Sequence, residues 1–170
     1  AIRAAGPYGA AYAHKVGMLV EDQDAEVRYQ ACLALAGMGH EAVPYLTIVR
    51  RLLSDKAEIV RYGACAALGG LGASKCAEDV AALLSDSSIE VQGAACWALG
   101  KMGHEGRHSA DAVAKRLREP RCRLKALQAL ALMGPRGAAP FCEDIVDCIA
   151  DDDADVRAAA AAALAHVAEP

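Results

Sequence analysis

One pattern constrains this chain more than any other: a short segment that returns four times at nearly fixed spacing. Val27-Arg28-Tyr29-Gln30-Ala31-Cys32-Leu33-Ala34-Leu35-Ala36-Gly37-Met38-Gly39 recurs over residues 60–72, 91–103, 122–134 and from Val156 onward. The starts lie 33, 31, 31 and 34 residues apart. A period of this size marks a repeat architecture, in which each unit is too small to bury its apolar face alone and does so against its neighbours.

The spacing inside the segment says what the unit is. Alanine stands four residues, and leucine eight residues, after the first position in all five copies. Offsets 0, 4, 8 and 11 fall within about 80° on a helical wheel, so each copy predicts an amphipathic helix. Gly39, Gly72, Gly103 and Gly134 close four copies, where a helix end favours glycine in the left-handed region. A second apolar segment follows each of them: Leu46, Val49, Leu52 and Leu53; Val80, Leu83 and Leu84; Val113 and Leu117; Ile145, Val146 and Ile149. Pro7, Pro44, Pro135 and Pro140 fall near the starts of these second helices, where proline is tolerated. Asp22, Asp55, Asp86 and Asp151 precede the next copy by five residues. They are expected to cap turns or to pair with the arginine that follows. Abundant alanine and only 4% aromatics suit close helix packing. The expectation is an all-α solenoid, a superhelix of about five stacked antiparallel helix pairs. Its repeats run approximately 1–23, 24–56, 57–87, 88–118, 119–152 and 153–170, as a single domain over 1–170.

At this point the chain resembles the short HEAT-like repeats, of the kind described in phycobilin lyases. Asp24-Ala25-Glu26-Val27-Arg28 with Ala31, Ala34, Leu35 and Gly39, then Glu41-Ala42-Val43-Pro44, carry the resemblance, and it extends over nearly the whole chain. It implies a solenoid and is weak about function, because such repeats serve many roles. Residues 2–6 match 35–39, so the chain is expected to open in the last turn of a preceding helix, as a fragment of a longer array.

No uninterrupted apolar run approaches the roughly 18 residues of a membrane span, and no secretory signal is visible. The seven cysteines form no paired metal signature. Cys32, Cys65 and Cys96 share one repeat position and read as small buried packing residues, which fits an intracellular, reducing compartment. His40-Glu41 and His104-Glu105 resemble the His-Glu pairs that bind two irons in deoxyhypusine hydroxylase. In that family, however, the pair directly follows the Val-Arg position, where this chain has Tyr29-Gln30, Tyr62-Gly63 and Gly93-Ala94. The two pairs here belong to turns two repeats apart, roughly 20 Å at 8–10 Å per helix, so no metal centre or other cofactor is expected. No nucleophilic or acid–base constellation is evident.

Two surfaces remain as candidates. Offsets 2, 6 and 10 face away from the core stripe and should be polar if they only meet water. They hold Tyr29, Leu33, Tyr62, Trp97, Lys101, Leu124 and Gln128, with Leu132 and several glycines. An apolar stripe aligned across consecutive repeats reads as a binding groove for another protein, offering a helix or an extended segment, with Tyr and Trp as anchors. The second surface is a basic band. Net charge is −3 over residues 1–100, +5 over 101–125 and −6 over 126–170. The band centres on Lys115, Arg116, Arg118, Arg121, Arg123 and Lys125. It could steer an acidic partner; its shortness and acidic flanks argue against nucleic acid. The reading is therefore an interaction scaffold within a larger complex. The alternative is an enzyme-associated solenoid of the phycobilin lyase or metal-dependent hydroxylase type.

Overall fold

A computed structural model describes residues 9–167; residues 2–6 and Pro7, read above, lie outside them. The chain opens with α1 (Gly9–Leu19) and turns into α2 (Ala25–Met38). A 3-10 turn, Gly39–Tyr45, leads to α3 (Leu46–Arg51), followed by α4 (Glu58–Gly70), α5 (Ala77–Ala82) and α6 (Ile89–Lys101). Then come α7 (Gly103–Arg107), α8 (Ala110–Ala114), α9 (Pro120–Met133), α10 (Pro135–Ala138), α11 (Cys142–Asp147) and α12 (Ala154–Val167). Every described element is helical.

The five repeated segments are the long helices α2, α4, α6, α9 and α12, and they stack side by side in one layer. The second helices form the other layer and are less regular than the pattern suggests. From α3 onward they are short α-helices with 3-10 turns attached, such as Leu52–Ser54 after α3 and Leu83–Ser85 after α5. The tighter 3-10 winding ends the helix within one turn and aims the chain back toward the first layer.

Glycine at the corners does what the sequence requires, by a slightly different geometry. Gly39, Gly72, Gly103 and Gly134 all have positive φ, between 59° and 72°. At Gly39 and Gly134 ψ is −123° and −169°, outside the left-handed helical well, in a region that side-chain-bearing residues avoid. The corner at Gly39 also settles the nature of residues 25–54. That stretch is long and apolar enough by composition to cross a membrane, but the backbone reverses within it and splits it into α2 and α3.

Leu35, Leu68, Leu99, Leu127, Leu130 and Ile145 are fully buried between the layers. Each contributes about 1.5–3 kcal/mol of burial. The long helices touch almost backbone to backbone. A methyl group built on Gly69 would sit 2.6 Å from Ala98 Cα, and one on Gly100 would sit 2.9 Å from Ala129 Cα. Small residues at these offsets are therefore the condition for the stack, which is why the composition is rich in alanine and poor in aromatics.

A ladder of polar links ties the turns together. The Arg28 guanidinium donates from Nε and Nη2 to both oxygens of Asp55, each at 2.9 Å, and from Nη1 to the Asp22 carbonyl at 2.7 Å. Arg61 repeats the fork on Asp86 at 2.7 Å and donates to the Asp55 carbonyl at 3.0 Å. Arg123 pairs with Asp151, and its Nε donates to the Leu117 carbonyl at 2.8 Å. The expected pairing is thus displaced. Apart from Asp22, each aspartate takes the arginine of its own repeat through its carboxylate and offers only its carbonyl to the arginine or glutamine that opens the next. Its carboxylate also caps the turn, as when Asp55 Oδ1 accepts the Ala57 N–H at 2.9 Å.

One rung is built otherwise. Gln92 replaces the arginine and keeps the carbonyl link to Asp86 at 2.7 Å. Leu117 replaces the aspartate and is buried. Arg116, one residue earlier, reaches back to the Leu84 carbonyl at 3.2 Å and to Gln92 Oε1 at 3.4 Å, leaving its buried Nε without a partner.

Candidate functional site

The outward stripe of the long helices forms two separate clusters rather than one strip. On α2 and α4, Tyr29 and Tyr62 face each other with ring centroids 6.3 Å apart and planes tilted by 57°. Tyr29 lies down over Gly63, where a Cβ would come within 2.7 Å of its ring, and is half-buried there. Tyr62 stays 37% exposed. Leu33 is half-buried on the same face.

The second cluster spans α6, α9 and α12. Trp97 leans back onto Gly69, with Cζ3 2.9 Å from where that residue's Cβ would be, and Lys101 Nζ stands 5.8 Å from the Trp97 ring centroid. Beside them a shallow pocket of about 370 Å³ is lined by Trp97, Lys101, Gln128, Ala131, Leu132, Ala159, Ala162 and His166. Three of the sequence-predicted residues thus meet in one place. Leu132, 48% exposed, extends its rim. Leu124 does not join them. It lines a larger cleft of about 980 Å³ between residues 117–124 and residues 144–156.

That cleft carries opposite charges on its two walls: Arg118, Arg121 and Arg123 on one side, Asp144, Asp147, Asp151, Asp152 and Asp153 on the other. The basic band is correspondingly committed in part. Arg123 is held by Asp151, Arg121 lies 3.4 Å from Glu90, Lys115 pairs with Asp111 at 2.6 Å, and Arg116 is absorbed in the altered rung. Arg118 and Lys125 remain exposed, Lys125 with its stem across Gly93.

The three cysteines that share a repeat position are poor nucleophiles. Burial pushes the Cys32, Cys65 and Cys96 thiols up to about 12, so none ionises near neutral pH. All seven are free.

One constellation escaped the reading of the sequence. His104 and His108 stand one helical turn apart, their rings 5.0 Å apart edge to face, with Glu105 Oε1 3.5 Å from His104 Nδ1. The signal was legible as the spacing His-Glu-x-x-His; comparing His104-Glu105 only with the distant His40-Glu41 concealed it.

Two layers of helices repeating at nearly fixed spacing define an α-solenoid. The model of the HEAT repeats family matches residues 16–72 and 47–131, and the chain belongs to that family. No curated protein matches the sequence. Among solved structures, the CpcE–CpcF complex of phycocyanin lyase from Nostoc sp. PCC7120 is similar, with a TM-score of 0.80 and 19% identity over 93% of this chain and 65% of that one. An engineered protein superposes with a TM-score of 0.74 at 20% identity, covering 95% and 84% of the two chains. A designed armadillo repeat protein in complex with the peptide (KR)4 gives 0.70 at 19%, covering 89% and 80%. At these identities the likeness is one of fold.

Proposed function

We propose that the chain is a non-catalytic scaffold that binds a helical or extended segment of another protein along the long-helix face. The observation that carries this reading is the pair of aromatic clusters on adjacent repeats, Tyr29 with Tyr62 and Trp97 with Lys101 beside a shallow apolar pocket. Half-exposed aromatics held rigid by packing onto glycine offer large contact area at little entropic cost. The designed armadillo protein holding a peptide, and the CpcE–CpcF complex, are neighbours in fold that engage a peptide or a second protein, and they support the reading by analogy. The seven free, mostly buried thiols support a reducing, intracellular setting. The lyase neighbour keeps a chromophore-handling role as the second reading; a pigment that purifies with the chain in stoichiometric amount would favour it.

Trp97 is the single tryptophan of the chain, so it reports on the site directly. Peptides selected by display against the protein should shift Trp97 emission as they bind, and the Tyr62→Ala/Trp97→Ala variant should lose them at unchanged helicity. Selected peptides that bind both proteins equally and leave the emission unmoved would place the interaction elsewhere.

A further inference from the structure

We propose that His104, Glu105 and His108 form an exposed binding site for a divalent transition-metal ion of the zinc type. The corner geometry builds the site. Gly103, with φ +61°, ends the turn after α6 and starts α7. Gly106 is then pressed onto α6 so closely that a Cβ there would lie 1.9 Å from the Leu99 carbonyl oxygen. This fixes the inner side of the helical turn and sends residues 104 and 108 outward together. Residues four apart share a helix face. Arg107, which could repel a cation, has its stem against the next repeat, with Cγ 3.5 Å from where Gly137 would carry a Cβ.

The ligand atoms of the three side chains all lie within 4.8 Å of one another. A tetrahedral zinc ion, with bonds of about 2.0–2.1 Å, needs its donors about 3.4 Å apart. All three side chains are exposed, so small rotamer changes close that gap without disturbing the core. Two imidazoles and a carboxylate suit zinc, nickel or copper rather than magnesium, and water completes the shell. The other repeats lack this set. His40-Glu41 occupies the equivalent corner after Gly39, but Pro44 stands where the second histidine would be, and the corners after Gly72 and Gly134 carry neither histidine. The chain therefore contains its own control.

The test is calorimetric titration of the reduced 170-residue chain with Zn2+, with Mg2+ as the comparison ion. The expected result is one Zn2+ per chain, no Mg2+ uptake, and affinity lowered about tenfold or more by His108→Ala or His104→Ala, since either removes a ligand. His40→Ala should leave the isotherm unchanged. Circular dichroism checks that each variant keeps its helicity, which exposed positions should allow. Co2+ absorbance supplies a second readout, its visible bands appearing with the parent and vanishing with His108→Ala. Absence of Zn2+ binding, or equal affinity in the parent and His108→Ala, overturns the proposal.

Discussion

The joint at Arg61 and the joint at Gln92 occupy equivalent places in consecutive repeats and are held by opposite chemistry. At the first, a bidentate arginine–aspartate pair at 2.7 Å bridges two turns, with both side chains nearly buried. At the second, the arginine has become glutamine and the aspartate has become a buried leucine. Yet α6 and α9 pack as closely as α4 and α6 do, through Gly100 against Ala129 and Gly69 against Ala98. The comparison teaches that small-residue contact sets the stacking, while the charged rung decides how the turn edge is secured. It also changes how the basic band is understood. Its positive balance arises partly because this turn lost its aspartate, and Arg116 serves the altered rung instead of projecting toward a ligand.

The strongest way to break the comparison is to place a carboxylate at the altered joint, where leucine stands. Leu117→Asp alone buries a carboxylate opposite Gln92 and should cost about 3–5 kcal/mol. Adding Gln92→Arg recreates the rung seen on either side and should restore about 1–3 kcal/mol as a coupling term. Urea midpoints of the two single variants and the double variant measure it. If the double variant is no more stable than Leu117→Asp, the backbone of this joint has a different geometry, and the two sites are not interchangeable.

Next in size is removal of an intact rung. Arg61→Ala leaves Asp86 without its fork and frees the Asp55 carbonyl, and should cost about 2–3 kcal/mol. Gln92→Ala, which loses the neutral link to Asp86 and the long bond from Arg116, should cost about 1 kcal/mol. Equal losses would mean the charge pair adds nothing beyond the carbonyl bond.

The repeat, its two-helix unit and the glycine corners were legible because each rests on local chemistry: periodic apolar positions, a fixed glycine, a fixed aspartate. The partner of that aspartate was not. Asp55 is six residues from Arg61 and 27 from Arg28, and only the stacking distance decides that the carboxylate goes to Arg28 while the carbonyl goes to Arg61. The candidate face was half legible for the same reason. Offsets on a wheel set Tyr29 and Trp97 away from the core stripe, but they could not show that Gly63 and Gly69 let these rings lie down on the neighbouring helix, half-buried. Leu124, near the start of α9, lines a different cleft, which the wheel could not show.

The rungs should also make the two kinds of joint respond differently to acid. The Asp86 carboxyl is held below the ordinary value of 3.8, first by the Arg61 fork and despite the cost of burial. For Asp55 burial is the largest single influence and pushes upward, but the bonds from Arg28 and the Ala57 N–H outweigh it. Asp151 is lowered first by the Asp153 N–H and then by Arg123. For groups depressed on folding, the stabilisation is whole above the unfolded value and disappears as pH falls through the folded one. Stability should therefore fall below about pH 4, and Asp86→Asn should flatten that slope. Thermal melts between pH 7 and pH 2.5 test this; an unchanged slope in the variant would remove Asp86 from the account.

The smallest expected effect concerns Arg116. Its Nη1 bonds are long, at 3.2 and 3.4 Å, and its buried Nε has no partner. A buried donor left unpaired costs free energy that the two weak bonds offset only in part. Arg116→Met keeps the stem and removes the orphan, so stability should change by less than about 1 kcal/mol, and a small gain is the more natural direction. The urea midpoint of this variant, set beside that of Arg61→Ala, separates an arginine that clamps two turns from one that fills a space. A loss as large as that of Arg61→Ala would show that Arg116 carries the altered joint as fully as the fork carries its neighbour, and the contrast between the two joints would reduce to a change of register.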